Sequence, residues 1–444
     1  MKDKVRDAAL RFLCDAERDN KYLNLALPSA LAAFGDERDR ALFTLLVYGV
    51  TEKKITLDFY LAAYSSRPVN ELERFTRYLL RLGFYQLIFL GTPPHAAVNE
   101  TVALARQRGE RGFVNAVLRS YLREPEKVVF PREEDGLVPY LSARYSYPLW
   151  MCASLVRDYG ETAAKETLEA FSRKPPLTLR VNTQKTGRDE LLALLSPFGA
   201  RPTNFSDCGI VIEENAAPSR LPGFDEGLCF VQDEASQLCA RLLGAKENED
   251  VADVCAAPGS KSFSLALDMK GTGRVRSFDL HRSKLSLIEN GAKKLGLENV
   301  FPAEQNALSP RQKLFGKLDR VLCDVPCSGL GVTAKKPDIR RKEEADVLAL
   351  PETACAILDA SSAYLKDGGT LVYSTCTLRR AENDEVCRRF LAEHPDFAPF
   401  DFTFTGSDGT VLSSEEGMLT LLPAKTNTDG FFLCRMIKKG TSHA

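Results

Sequence analysis

Three hydrophobic patterns follow one another along the 444 residues of the chain. In the first, apolar residues such as Val5, Ala9, Phe12 and Leu13 recur at the spacing that places them on one face of a helix. The same period continues in four later segments, which are Arg40–Val50, Leu79–Leu90, Ala96–Arg108 and Phe113–Leu122. Residues 1–125 therefore predict an all-helical domain.

The second pattern is mixed. Residues 126–140 are charged and contain prolines, which is typical of a linker. Residues 141–235 then predict two helices, Pro148–Asp158 and Thr162–Phe171, a third helix at Arg188–Leu195, and short strands at Leu177–Asn182, Gly209–Glu213 and Leu228–Gln232. This combination indicates a small α+β module.

The third pattern, in residues 236–440, alternates strands with helices. The predicted strands are Asp250–Cys255, Arg274–Asp279, Asn299–Ala303, Leu318–Asp324 and Gly369–Tyr373, and the predicted helices between them are Lys261–Asp268, Ser283–Leu295 and Pro351–Leu365. Alternation of this kind predicts an α/β domain of Rossmann-like type, whose parallel sheet binds ligands at the carboxyl ends of its strands. Two more strands, Gly417–Pro423 and Gly430–Ile437, should pair antiparallel at one edge.

Composition narrows the class of protein. The chain is 44% hydrophobic and 27% charged, which is ordinary for a globular protein. Since no apolar run approaches membrane length and no signal peptide is recognisable, we expect a cytoplasmic protein without a membrane partner. The net charge of −1 conceals an excess of four positive charges in residues 1–125, with 19 Lys and Arg against 15 Asp and Glu. Such a balance permits nucleic-acid binding without requiring it.

The cysteines do not form a metal-binding pattern. The chain has twelve cysteines and four histidines, but no Cys-x-x-Cys pair, so we expect no metal site. Disulfides are not expected without a secretory signal. Most of these cysteines should be small buried hydrophobic residues.

A cofactor site is predicted where the first strand of the α/β domain turns into a helix. The turn, Cys255–Lys261, consists of small residues and Gly259, which allow close approach of the backbone to a ligand. It lacks the Gly-x-Gly-x-x-Gly fingerprint of nicotinamide enzymes. Asp279 ends the next strand, where a carboxylate can accept hydrogen bonds from ribose hydroxyls. An ordinary strand–helix turn and a helix-capping Asp are the alternatives.

Two further strand ends carry cysteines. Cys327 lies in the loop Asp324–Gly329, and Cys376 follows Ser374 and Thr375. A structural cysteine belongs inside a strand or on an apolar helix face, whereas these two lie among Ser, Thr, Gly and Pro at the ligand-binding edge. A nucleophile would be exposed and activated in that position.

Together these segments resemble the signature motifs of the RNA 5-methylcytosine methyltransferases, the Sun/Fmu/NOP2 superfamily. The resemblance is carried by Cys255–Lys261, Asp324–Gly329 and Ser374–Thr377, and also by Pro175–Asn182, Val231–Leu238 and Asp429–Phe432. The first 125 residues resemble a NusB-type RNA-binding domain in Tyr48–Val50, His95–Glu100 and Gly112–Arg119. A NusB-like domain before this catalytic domain resembles the members that methylate 16S ribosomal RNA.

The resemblance implies S-adenosylmethionine as cofactor and assigns its contacts. The implied contacts are Cys255, Ala256, Ala257, Pro258, Gly259, Ser260, Lys261, Asp279, Asn306 and Asp324. It also implies that Cys376 attacks carbon 6 of cytosine and that Cys327 resolves the covalent adduct. Asp324 is the candidate for the proton donor near ring nitrogen 3 that would stabilise this adduct. The sequence departs from the family pattern at Ser260, where Gly is usual, and at Asn306, where Asp is usual.

The implied partner is a single-stranded or loop region of 16S ribosomal RNA, because the base must be unstacked to react. We expect the protein to act as a monomer. Three alternatives remain at this point. They are a catalytically silent RNA-binding or antitermination factor, a methyltransferase acting on another RNA such as tRNA, and a DNA cytosine methyltransferase that attacks from Cys327.

Overall fold

The computed structural model describes residues 3–19, 21–214 and 216–440. The chain forms two compact units. The first comprises the chain up to Arg173 together with Thr333–Glu344, and the second comprises Lys174–Val332 and the chain from Ala345 onward. The division into segments 1–125, 126–140, 141–235 and 236–440 stays a prediction.

The first unit is helical. Its helices are α1 (Lys4–Arg18), α2 (Leu23–Leu31), α3 (Glu37–Glu52), α4 (Lys54–Tyr64), α5 (Arg74–Ile88), α6 (Pro94–Leu104), α7 (Arg108–Arg123), α8 (Leu137–Tyr145) and α9 (Leu149–Phe171). They enclose a core that includes Leu10, Leu46, Leu57, Leu79 and Leu118, each without exposed surface. The helical periodicity of the sequence is thus confirmed as a buried apolar face.

The start of helix α7 differs from the sequence prediction. We expected a short helix beginning at Phe113, but α7 begins at Arg108 and runs through Gly109 and Gly112. A Cβ atom at either glycine would meet no neighbouring atom within 4 Å, so close packing does not require glycine at these positions. The two helices predicted on either side of Gly160 are confirmed, because α9 is interrupted at that residue (φ 80°, ψ 169°).

The second unit begins with a small antiparallel sheet in the strand order β2-β3-β1-β4. Its strands are β1 (Leu177–Val181), β2 (Ala200–Pro202), β3 (Gly209–Ile212) and β4 (Cys229–Val231), with helix α10 (Arg188–Leu195) between β1 and β2. Leu191 and Leu195 of α10 pack with Ile210 and Ile212 of β3 in one hydrophobic cluster. The predicted α+β character of this part is confirmed.

A larger sheet forms the rest of the second unit. Its strands are β5 (Asp250–Asp253), β6 (Arg274–Asp279), β7 (Val300–Glu304), β8 (Leu318–Asp324), β9 (Leu365–Thr375), β10 (Phe397–Pro399), β13 (Met418–Leu421) and β14 (Phe431–Lys438), and a separate pair is β11 (Thr403–Thr405) with β12 (Val411–Ser413). The helices of this region are α11 (Glu234–Leu243), α12 (Ser260–Asp268), α13 (Arg282–Leu295), α14 (Leu350–Ser362), α15 (Asp384–Glu393) and α16 (Pro423–Thr426).

The strand order is β10-β14-β9-β8-β5-β6-β7, with β13 paired to β14. Strands β9, β8, β5, β6 and β7 run parallel, whereas β14 runs antiparallel to both β9 and β13. This confirms the α/β class and the antiparallel pair predicted near the sheet edge. Because these five neighbouring strands are parallel, their carboxyl ends meet at one edge of the sheet.

None of the helices in the described residues is long and apolar enough to cross a membrane.

Candidate active site

The two loop cysteines lie side by side at the carboxyl edge of the sheet. Strands β8 and β9 are neighbours, with Asp324 opposite Ser374, so the loops that follow them emerge together. This brings the Sγ atoms of Cys327 and Cys376 to 3.4 Å from each other. Both residues are partly exposed, in contrast to the buried Cys323 on β8. Their exposure at a strand end fits a reactive role better than a packing role.

Backbone contacts hold these loops close together. The N–H of Gly331 donates to the carbonyl of Cys376 (2.9 Å), and the N–H of Gly430 donates to the carbonyl of Gly331 (2.8 Å). A Cβ atom on Gly331 would lie 1.8 Å from the oxygen of Gly430, so only glycine permits this approach. The contact also explains why the segment Asp429–Phe432, singled out in the sequence, belongs to the site.

Asp324 has partners for both carboxylate oxygens. Lys261 Nζ lies 2.6 Å from its Oδ2, and the Ser374 hydroxyl donates to its Oδ1 (2.8 Å). Burial lowers the pKa of Lys261, but Asp324 and nearby thiol groups, including Cys376, raise that pKa above its usual value overall. Lys261 is therefore a buried ammonium ion whose charge is balanced by Asp324.

The neighbouring thiol and burial raise the pKa of Cys327 well above its usual value. The hydrogen bond with Cys376 contributes most to the raised pKa of Cys327, followed by burial and by the charges of Cys376, Glu382 and Asp324. Two adjacent thiols do not both ionise readily, because the second negative charge is repelled by the first. The pair therefore favours a state with no more than one negative charge.

The predicted cofactor turn lies at the same edge. It joins β5 to α12, whose first turn begins at Ser260 after Gly259 (φ 113°) without a side-chain cap. Asp279 at the end of β6 is buried and accepts hydrogen bonds from the N–H groups of Ala257 (3.2 Å) and His281 (2.9 Å). The structure thus brings the turn, Asp279 and Asp324 to neighbouring strand ends.

Asn306 is more peripheral than these residues. It follows β7 at the far side of the parallel strands, is exposed, and accepts a hydrogen bond from the N–H of Leu308 through Oδ1 (3.0 Å). The structure does not bring it into the hydrogen-bonded cluster of Asp324 and Lys261. Its assignment as a cofactor contact stays a prediction.

Two buried residues of the site were missed by the sequence analysis. Glu382 Oε2 accepts a hydrogen bond from the N–H of Ser328, directly after Cys327 (2.7 Å). Asn383 contacts Thr375 and Thr377, on either side of Cys376. Both precede α15, where polar residues usually cap a helix, so their pattern gave no separate signal.

Among the described residues, no group of three or more His, Cys, Asp and Glu side chains could hold a metal ion.

Family models match most of the chain. Residues 3–123 match the NusB family, residues 147–218 match a ferredoxin-like domain of RsmF/B-like methyltransferases, and residues 240–437 match the 16S rRNA methyltransferase RsmB/F family. The matches agree with the family resemblance drawn from the sequence motifs.

Full-length relatives are also similar. A probable ribosomal RNA small subunit methyltransferase B of Bacillus subtilis is 38% identical, covering 99% of this chain and 100% of the relative. The ribosomal RNA small subunit methyltransferase B of Citrobacter koseri is 33% identical over the same shares. A solved structure of a methyltransferase homolog from Pyrococcus horikoshii is 26% identical, with a TM-score of 0.58, and covers 67% of this chain and 97% of its own.

Proposed function

Because the chain belongs to the RsmB/F family of 16S rRNA methyltransferases, we propose that it methylates carbon 5 of a cytosine in small-subunit ribosomal RNA through a covalent cysteine–cytosine intermediate. The observation that carries this proposal is the pair of thiols 3.4 Å apart beside Asp324. Carbon 5 of cytosine is a poor nucleophile unless a thiolate first adds at carbon 6, which makes carbon 5 enamine-like.

The cofactor proposed is S-adenosylmethionine. The chain offers a glycine-containing turn without side-chain caps, a buried carboxylate at Asp279 and a second carboxylate at Asp324, a set of groups that fits an adenosine and a positively charged amino acid. When bound, S-adenosylmethionine supplies an electrophilic methyl group to carbon 5. Cys255, Ala256, Ala257, Pro258, Gly259, Ser260 and Lys261 would hold it at the turn, with Asp279 on the ribose and Asn306 near the adenine.

Cys376 is the proposed nucleophile. Its thiolate forms a bond to carbon 6, and the electron density passes into the ring toward carbon 5. Cys327 is suited to the later step because the chief causes that raise its pKa include the hydrogen bond and charge of Cys376. Once Cys376 is bonded to carbon 6, those causes are removed, and Cys327 gives up its proton to solvent, which is the proton released in each turnover. Cys327 can then take the proton from carbon 5, while the carbon 6–sulfur bond breaks and its electron pair returns to Cys376.

Asp324 acts together with Lys261 in this proposal. The carboxylate is ion-paired with a buried ammonium group, so the pair has both an acceptor and a proton donor close to the thiols. We propose that, as Cys376 adds, ring nitrogen 3 takes up a proton that Lys261 supplies through Asp324. Asp324 then accepts the hydrogen bond from nitrogen 3, and the proton returns to the pair when the carbon 6–sulfur bond breaks. The carboxyl group therefore does not need to be the proton donor by itself.

The alternatives are a DNA-type enzyme that attacks from Cys327, a catalytically silent RNA-binding factor, and an enzyme acting on tRNA. All four possibilities are separated by incubating the full chain with tritiated S-adenosylmethionine and 16S rRNA, tRNA or duplex DNA. We expect label in 16S rRNA at carbon 5 of cytosine. No label in any nucleic acid would favour the silent factor.

Cysteine variants test the mechanism directly. Cys376→Ala should abolish both methylation and covalent adduct, because no thiolate adds to the ring. Cys327→Ala should still attack and methylate, leaving a protein–RNA adduct that survives denaturing electrophoresis. Cys355→Ala, which changes a partly buried cysteine on α14, is the matched control and should behave as wild type. Adduct with Cys376→Ala and none with Cys327→Ala would instead identify the DNA-type mechanism.

A further inference from the structure

Glu382 is attached to the loop that carries Cys327. Its side chain is 1% exposed, its Oε2 accepts a hydrogen bond from the N–H of Ser328 (2.7 Å), and its Oε1 pairs with Arg379 Nη1 (3.0 Å). The Tyr373 hydroxyl, on the strand that leads to Cys376, donates to the carbonyl of Glu382 (2.5 Å). A buried carboxylate with this set of partners is fixed in position and holds the peptide bond after Cys327.

Asn383, the next residue, is attached to the loop that carries Cys376. It has no exposed surface. Its Oδ1 accepts a hydrogen bond from the Thr375 hydroxyl (2.6 Å), and its Nδ2 donates to the carbonyl of Thr377 (3.0 Å). The single amide side chain therefore holds the residues immediately before and after Cys376.

We propose that Glu382 and Asn383 are positioning residues, Glu382 for Cys327 and Asn383 for Cys376, so that two adjacent residues set the separation of the two thiols. The inference rests on the proposed function, since it assigns a different step of that reaction to each loop. The hydroxyls of Ser328 and Thr377 also form a hydrogen bond (2.6 Å), which links the two loops directly and fixes their relative position.

The two residues should affect different steps of catalysis. Removing Glu382 releases the backbone directly after Cys327, whereas Asn383 still holds both neighbours of Cys376. Attack should then proceed while resolution of the adduct slows. Removing Asn383 displaces the nucleophile itself, and a displacement of about 1 Å can slow a reaction by about 100-fold.

The experiment uses the full-length protein with 16S rRNA transcribed in vitro and S-adenosylmethionine. Glu382→Ala should accumulate covalent protein–RNA adduct, while the rate of methyl transfer in the first turnover stays close to that of wild type. Glu385→Ala, an exposed Glu-to-Ala change on α15, is the matched control and should leave little adduct. Because Arg379 loses its carboxylate partner in Glu382→Ala, Glu382→Gln provides a second variant, close in size to the wild-type side chain, that retains an acceptor for Ser328. It should accumulate adduct to a smaller extent.

Combination with Cys327→Ala distinguishes positioning from a merely structural role. In the Cys327→Ala protein, adding Glu382→Ala should not change the amount of adduct, because the thiol that Glu382 positions is already absent. Asn383→Ala should instead slow the formation of adduct in the same background, with first-turnover methyl transfer about 10- to 100-fold slower.

Three results would overturn the inference. In the first, both Glu382 variants lose turnover without accumulating adduct. In the second, adding Glu382→Ala to Cys327→Ala changes the amount of adduct, and in the third, adding Asn383→Ala to Cys327→Ala leaves the rate of adduct formation undiminished. Failure of the proposed function gives a separate result, since Cys327→Ala alone would then trap no RNA.

Discussion

Asp253 shows how the charge of one residue depends on its surroundings at the candidate site. It ends β5 directly before the cofactor turn, is 1% exposed and accepts a hydrogen bond from the Ser262 hydroxyl (2.8 Å). Burial raises its pKa from 3.8 to about 7, and the nearby charge of Asp324 adds to this shift. The negative charge near Lys261 thus resides mainly on Asp324, because Asp253 remains largely protonated at slightly acid pH.

At this scale we predict a pH dependence of stability. The pKa of Asp253 is raised in the folded state, so the protonated form contributes stability that is full below about pH 4 and is lost as the pH rises through about 7. Between pH 5 and pH 8 the loss should be about 2–3 kcal/mol of unfolding free energy. Asp253→Asn should remove most of this slope in urea titrations followed by circular dichroism. The exposed Asp189→Asn should retain it. An unchanged slope in Asp253→Asn would rule out Asp253 as its source.

At the scale of elements, the active site depends on three loops that follow β8, follow β9 and precede β14. These loops meet at Gly331 and Gly430, whose backbone atoms are in direct contact. The separation of the two thiols is therefore a property of backbone packing as well as of the side chains around them. A change of backbone at this crossing should alter the chemistry without removing any reactive group.

Gly331→Ala tests this crossing. The added Cβ would lie 1.8 Å from the carbonyl oxygen of Gly430, so the loops must separate, at a cost of about 1–3 kcal/mol in stability. We expect methyl transfer to fall more steeply than the fraction of folded protein, measured in the same preparations by circular dichroism. Gly187→Ala is the control, since a Cβ at that position meets no atom within 4 Å. Equal losses in activity and folded protein would contradict a specific effect on the loops.

The sequence predicted the five parallel strands, β13, β14 and the strand ends that carry the motifs, because alternation and loop composition are local signals. The short edge strand β10 was not predicted. Helix α8 was missed because Pro139 and the charged residues around it suggested a linker, although proline is tolerated in the first turn of a helix. Glu382 and Asn383 could not be assigned from the sequence, because their partners lie up to 54 residues away along the chain. Such contacts depend on strand order, which hydrophobic periodicity does not encode.

At the scale of the whole molecule, the two compact units do not follow the chain in a simple order. Thr333–Glu344 lies in sequence between β8 and α14, yet it belongs to the first unit. Arg340 anchors it there: its Nη1 donates to the carbonyls of Glu52 and Tyr145 (3.1 Å each), and its guanidinium lies 4.0 Å from the ring centre of Tyr147. A truncation that removes the N-terminal helices would therefore also remove the partners of a segment that directly follows the Cys327 loop.

Arg340→Ala should destabilise the first unit specifically. The substitution removes the Arg340 donor from the carbonyls of Glu52 and Tyr145 and removes the stacking on Tyr147, which we expect to cost about 3 kcal/mol. Hydrogen exchange should then be faster for amides at the ends of α3 and α8, whereas the parallel strands of the second unit keep their protection. Lys336→Ala, which removes an exposed charge from the same segment, should leave both patterns unchanged. Protection lost in β5 and β8 rather than in α3 and α8 would show that Arg340 stabilises the second unit instead.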